Sequence, residues 1–263
     1  MKLEAIDKGA AFDFGRVSEK YAGYRDIYPA SLYQTLIEAK VVGENMQVLD
    51  LGSGTGVLPR RLYHTGARFT VTDVSENQID QARRLAAEAK MENMDFRVCG
   101  AEDTGFSNAV FDAVTAAQCF HYFNAEKAAA EIARVLKPEG LFCKIFMEWL
   151  PLEDEKVGEM EELVLRYNPA WSGGGYAGLS YEVPQWSKKA FGFEALHVWR
   201  EKLPFTKEAW LGRILTCRGV GASLSPERVK AFEEEYRAIL QAYPEEILYL
   251  SHEIQVEVYR KKA

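Results

Sequence analysis

The 263 residues carry 39 acidic against 32 basic side chains, a formal net charge of −7, with Arg260-Lys-Lys262 the one short basic run. A chain that neutralises several phosphates presents a basic face, so nucleic acid is not the expected partner. No stretch approaches the ~18 consecutive apolar residues of a membrane span, and the first residues lack an apolar signal core, so no membrane partner and a cytoplasmic location are expected.

Near the amino end Tyr21, Tyr24, Arg25 and Tyr28 fall at i, i+3, i+4 and i+7 before Pro29, and the spacing predicts a helix that gathers them on one face. As a lid, such a face would offer Arg25 to a ligand carboxylate in bidentate geometry while the rings exclude water. The alternative is an aromatic stripe packed on a sheet, with Arg25 at the surface. Val48-Leu-Asp-Leu51 then reads as a buried parallel strand running into Gly52-Ser-Gly-Thr-Gly56, where missing Cβ atoms permit a sharp turn and close approach of a ligand. Leu58 and Leu62 continue as one helical face. A phosphate-cradling loop needs Lys-Ser/Thr after its last glycine, and here Val57-Leu58-Pro59 follows; the dinucleotide fingerprint is G-x-G-x-x-G, against G-x-G-x-G here.

Arg68 to Thr72 is a second predicted strand, delivering Asp73, Val74 and Ser75 to its carboxyl end before a helical run through Ile79, Ala82, Ala86 and Ala89. An acid at that place accepts hydrogen bonds from ribose hydroxyls in doubly wound sheets; the alternative is helix capping, which suits Ser75 better than Asp73. Met94 to Val98 is a third strand, followed by the turn Cys99-Gly-Ala-Glu-Asp103. Phe111 to Ala117 is a fourth, ending in Gln118-Cys-Phe-His-Tyr122. Asn124 then offers a cap, Ile132, Val135 and Leu136 an apolar stripe, and Lys137-Pro-Glu-Gly140 a stop before a fifth strand over Leu141 to Met147.

Two alternating runs, Phe193 to Arg200 and His252 to Arg260, read as further strands. Between them, Phe205 to about Leu250 contains Ser225-Pro226 as a helix start and a stripe of Val229, Phe232, Tyr236, Ile239 and Tyr243. The segment from Trp149 to about Trp186 carries Trp171, Tyr176, Tyr181 and Gly173-Gly-Gly175, the last expected to be a mobile loop. Cys99, Cys119, Cys143 and Cys217 are scattered, so neither a metal site nor a disulfide framework is indicated.

Asp50-Leu-Gly-Ser-Gly-Thr-Gly56 resembles the first motif of class I S-adenosylmethionine (SAM) dependent methyltransferases. Gln118…His121 with Leu136-Lys-Pro-Glu-Gly140 resembles the small-molecule members. Tyr21…Arg25…Tyr28-Pro29 and Cys119-Phe-His-Tyr122 are similar to patterns in the branch of trans-aconitate methyltransferase. The resemblance implies an α/β doubly wound, Rossmann-like sheet of seven strands in the order 3-2-1-4-5-7-6, as one domain with helical caps at about 10–35, 149–190 and 204–250. It also implies that Asp50, Gly52, Ser53, Gly54 and Gly56 hold SAM, that Asp73 and Val74 meet its ribose and adenine, and that Tyr21 and Arg25 face its methionine end. The family usually has an aspartate where Gly100 stands, so the adenine is expected at the backbone of Ala101 or at Glu102, unless Glu102 is only part of a solvated turn. Gln118 and His121 are expected near the methyl group.

The implied reaction moves that methyl to a small-molecule acceptor by in-line displacement, leaving S-adenosylhomocysteine. A carboxylate acceptor needs no base; for a phenol or amine, His121 is the candidate catalytic group, since imidazole titrates near neutrality. Cys119 as a thiolate nucleophile is disfavoured, because no neighbouring cation is evident. An NAD-dependent oxidoreductase on the same sheet and a non-catalytic SAM-binding protein are the rival readings.

Overall fold

The computed structural model describes residues 2–262, the side chains of Glu19 and Tyr21 excepted. In chain order it contains α1 (Ser18–Tyr24), α2 (Ala30–Glu38), β1 (Gln47–Leu51), α3 (Val57–Leu62), β2 (Arg68–Asp73), α4 (Glu76–Glu88), β3 (Met94–Val98) and β4 (Phe111–Ala117). There follow α5 (Ala125–Val135), β5 (Leu136–Trp149), α6 (Glu155–Tyr167), α7 (Gln185–Lys188), β6 (Phe191–Thr206), α8 (Lys207–Leu215), α9 (Pro226–Ala242) and β7 (Ile247–Lys261). The seven strands form one sheet in the order β3-β2-β1-β4-β5-β7-β6, the order expected from the sequence. Neighbours from β3 to β5 pair in parallel, with Asp50 opposite Val71 on one side and Thr115 on the other.

Two compact units share the chain. A sheet unit comprises Tyr28–Met147, Ser180–Val198 and Ile254–Ala263, and a helical unit comprises Met1–Ile27, Glu148–Leu179 and Trp199–Glu253.

In the sheet unit, strands buried on both faces give continuous apolar runs, as parallel sheets require. Val48, Leu49, Val114 and Ala116 are fully buried. Phe120, Phe142, Trp186 and Tyr259 add an aromatic cluster with ring centroids 4.7–6.0 Å apart. The cap at Asn124 forms as expected, its side chain accepting from Lys127 N. The stop does not. Helix α5 ends at Val135, and Lys137 to Gly140 run on as the irregular start of β5, where the register opposite Phe111 and Ala113 shifts.

In the helical unit Ser225 caps α9 and Pro226 opens it, and Phe232, Tyr236 and Leu240 form its buried stripe. Trp210 on α8 donates its indole N–H to Tyr236 Oη at 2.7 Å. The helix expected over Tyr21 to Tyr28 stops at Tyr24. Gly23 weakens its last turn, and Pro29 pushes the residue before it into extended backbone, so Arg25 and Tyr28 leave the face that the spacing suggested. Tyr24 packs instead on α8, where a Cβ at Gly212 would lie 2.4 Å from its ring. The glycines at 173–175 are likewise pinned rather than a free loop: Gly173 lies against the Trp171 ring, and Gly175 N donates to Glu161 Oε2 at 2.7 Å.

Candidate functional site

The carboxyl ends of β1, β2 and β4 build the site within the sheet unit. Gly52, Gly54 and Gly56 all have positive φ (59°, 56° and 72°), the left-handed region that side chains with a Cβ rarely enter. Gly52 has a second reason to be glycine: a Cβ there would lie 2.8 Å from Cys119 Cβ and 2.9 Å from its Sγ. Its missing side chain therefore makes room for the end of β4, not only for a ligand. Gly56 stands at the N-cap of α3, and Ser53 N donates to Thr72 O at 2.8 Å, tying the loop to β2.

Asp50 is buried beneath this loop. Its Oδ1 accepts from Thr115 Oγ1 at 2.5 Å and its Oδ2 from Ser53 Oγ, so both oxygens shape the protein from inside. Burial, with the Asp73 charge adding to it, pushes its carboxyl up to about 6.

Asp73 is half-buried at the end of β2, the place the sequence suggests. Its Oδ2 accepts from Gly54 N at 3.0 Å and its Oδ1 from Ser75 N at 2.9 Å. Ser75, favoured as the cap of α4, makes no side-chain cap bond; Asp73 takes its backbone N–H instead. A carboxylate offers about four acceptor positions, so two are left for a ligand's hydroxyls. Burial raises the Asp73 carboxyl while the backbone donors lower it, with burial the larger effect. Val74, next along the chain, is 57% exposed, an apolar side chain open beside an acid.

The turn after β3 is held on several sides. Cys99 N donates to Asp73 O at 3.1 Å, Gly100 bridges Asp103, Ala101 is buried, and Glu102 Oε1 accepts from Asn124 N at 2.8 Å. Sequence reasoning missed the clamp beyond it, because Glu131 and Arg134 read as ordinary residues of α5. Glu131 Oε1 accepts from Thr104 N (2.8 Å) and Thr104 Oγ1 (2.5 Å), while Arg134 joins Glu131 to the Phe106 carbonyl. The Arg134 hydrogen bond holds the Glu131 carboxyl down at about 2.

Gln118 is also unlike its sequence reading. Its φ is +59°, and its side-chain amide pairs with Met147, Nε2 donating to the carbonyl at 2.6 Å and Oε1 accepting from the amide at 2.9 Å. It extends the β4–β5 pairing through its side chain. His121 lies on an exposed turn with its ring 4.0 Å from that of Tyr122 and 5.7 Å from Phe146. Cys119 is buried with Sγ 3.1 Å from Leu51 O, and burial beside Asp50 and Asp73 raises its thiol well above the usual range, the opposite of an activated nucleophile. Arg25 belongs to the helical unit, where Nε donates to Thr216 Oγ1 at 3.1 Å, and the Tyr21 side chain lies outside the described residues.

Residues 49–143 match the family described as "Methyltransferase domain". An uncharacterized methyltransferase-like protein of Schizosaccharomyces pombe is 32% identical over 135 residues, covering 51% of this chain and 50% of its own, so the chain spans about half the length of such curated relatives. The crystal structure of YcgJ from Bacillus subtilis aligns with TM-score 0.57 at 21% identity, covering 89% of this chain and 99% of that one. Geranyl diphosphate C-methyltransferase from Streptomyces coelicolor, solved with Mg2+, geranyl diphosphate and S-adenosyl-L-homocysteine, aligns with TM-score 0.51 at 17% identity over 88% of this chain and 78% of its own. At these identities the structural likeness is one of fold. The matched segment runs from the glycine loop to β5, so residues 49–143 carry the likeness to the methyltransferase-domain family, and the sheet as a whole has the fold of these solved methyltransferase structures.

Proposed function

We propose that this protein transfers the methyl group of SAM to a small-molecule acceptor. The observation that carries the reading is the Asp73 carboxylate, fixed by Gly54 N and Ser75 N at the mouth of the glycine loop and flanked by exposed Val74. The fit to SAM is chemical: spare acceptors for two ribose hydroxyls, an apolar surface for the adenine, and bare backbone at 52–56 for the amino-acid portion. When bound, SAM supplies a methyl group activated by a sulfonium centre.

The chain's own residues bind and orient. Asp73 accepts from the ribose. Val74 and the turn at Ala101 and Glu102 face the adenine, the second Glu102 oxygen being available beside the one that Asn124 N uses. Asp50 acts from below by holding Ser53, and Gln118 by fixing the end of β4. A methyl displacement needs collinear positioning more than covalent help, and positioning supplies up to ~7–11 kcal/mol in well-oriented systems.

The nucleotide end alone would also suit an NAD-dependent oxidoreductase, and a SAM-binding protein without turnover would share the loop. Calorimetric titration with SAM and NAD separates the first: saturable SAM binding with no NAD binding is expected. Methyl transfer from labelled SAM into a metabolite pool separates the second; SAM binding without any labelled product would favour the non-catalytic reading.

A further inference from the structure

The strand order leaves β3 and β6 at the two ends of the sheet. An end strand presents a row of backbone N–H and C=O groups to any chain that can pair with it, and proteins blunt such edges by keeping them short, charged or broken by proline. β3 follows that rule: it has five residues, with Asp95 and Arg97 among them. β6 does not. It runs for 16 residues, Phe191–Thr206, and its first proline is Pro204. Its centre, Ala195-Leu-His-Val-Trp199, holds no carboxylate, lysine, arginine or proline. From Phe193 to Arg200 no residue on either face is buried, and Phe193 and Val198 are 39% and 41% exposed.

A partner that pairs with this edge must match its side chains, and a second copy of the same strand does. When two identical strands pair antiparallel, a twofold axis passes between one residue and its own copy, and residues equally far on either side face each other. With the axis at His197, Leu196 faces Val198 of the second copy, Ala195 faces Trp199, and Glu194 faces Arg200, each contact occurring twice. Glu194, Leu196, Val198 and Arg200 share one face of the strand, so that face gains two ion pairs flanking four apolar side chains. Neighbouring registers match less well. With the axis at Leu196, Glu194 faces Val198; with the axis at Val198, Glu194 meets Lys202 but Leu196 faces Arg200.

The two charged side chains are also held in place beforehand. Glu194 Oε2 accepts from Arg260 Nη2 at 2.8 Å, and Arg200 Nε donates to Glu253 Oε2 at 3.0 Å, while Glu194 and Arg200 stay 34% and 48% exposed. Ordering long side chains before association lowers its cost. We propose that this protein pairs with a second copy of itself through β6, antiparallel and centred on His197, joining two sheets edge to edge. The proposal does not depend on the methyl-transfer reading.

Residues directly opposite in an antiparallel pair have Cα atoms ~4.5–5.5 Å apart, within the span of a disulfide. His197→Cys in the full chain should therefore form a reducible disulfide between copies under mild oxidation, seen as a doubled mass on a non-reducing gel. Two copies of residue 194 lie ~20 Å apart in this register, so Glu194→Cys should not crosslink. Wild type, whose Cys119, Cys143 and Cys217 are buried, gives the background, and light scattering should show it at twice the mass of one chain. Leu196→Lys combined with Val198→Lys sets like charges opposite each other and should raise the dimer dissociation constant roughly tenfold or more, with an unchanged circular dichroism spectrum. A monomeric wild type, a dimer that the paired lysines leave intact, or crosslinking of Val198→Cys in preference to His197→Cys would overturn the proposal.

Discussion

Glycines in this chain differ in what they tolerate, and two of them make opposite predictions. Gly52→Ala forces a Cβ into left-handed backbone and against Cys119 at 2.8 Å. Strain of ~1–3 kcal/mol and overpacking of similar size both oppose it, so a fall in the urea midpoint and loss of SAM binding are expected; an unshifted midpoint would contradict the packing at the end of β4. Gly23 has no heavy atom within 4 Å of a built Cβ and lies in helix α1. Gly23→Ala is therefore expected to stabilise by ~0.4–1 kcal/mol, and denaturant unfolding checks it. Such contrasts were only partly legible in the sequence. The run at 52–56 announces a special backbone, but Cys119 is 67 positions along the chain from Gly52 and no local pattern pairs them.

At the scale of elements, helix α5 controls the turn after β3 through Glu131 and Arg134. Glu131→Gln keeps the size of the side chain and removes the charge that Arg134 and Thr104 share. Amide exchange in residues 99–108 should quicken and the KM for SAM rise, while kcat at saturation stays near wild type; unchanged exchange and KM would assign the clamp to fold stability alone. The Glu131 carboxyl is lowered from 4.5 to about 2, so its contribution is complete above 4.5 and lost as pH falls toward 2. Acid unfolding in that window should be less steep in Glu131→Gln than in wild type. Strands and the helix of Ser225-Pro226 were readable because their signals are local: alternation, apolar runs, a capping serine. The clamp was not, and neither was the Gln118–Met147 pairing, because each joins side chains to backbone between elements. The helix through Tyr28 failed for a local reason, Gly23 and Pro29 overriding a good periodicity.

For the molecule as a whole, Asp50 and Glu148 are the acids raised furthest and so contribute strongly to the response to pH. The Asp50 carboxyl rises from 3.8 to about 6 and that of Glu148 from 4.5 to about 7. In each case the folded state holds the proton more tightly, so their contribution is full at low pH and is lost as pH rises through about 6 and about 7. His252, lowered from 6.5 to about 3, works in the other direction below 6.5. The difference in Tm between Glu148→Gln and wild type should therefore grow in favour of the variant as pH rises from about 4.5 to 7 and level off above; a constant difference over that range would contradict the raised Glu148 carboxyl. The sequence located the glycine loop, Gly52 to Gly56, and Asp73 together at the carboxyl edge of the sheet. It was silent on Arg213 and His252, which come together from α8 and β7 and carry no motif.

The central claim is that Asp73 and the glycine loop hold SAM, and calorimetric titration of SAM into wild type and Asp73→Ala tests it most directly. Loss of charge-assisted hydrogen bonds worth ~1.5–3 kcal/mol predicts a Kd raised roughly tenfold to a hundredfold with little change in Tm. SAM binding equally well to both proteins, or wild type binding NAD in its place, would contradict it.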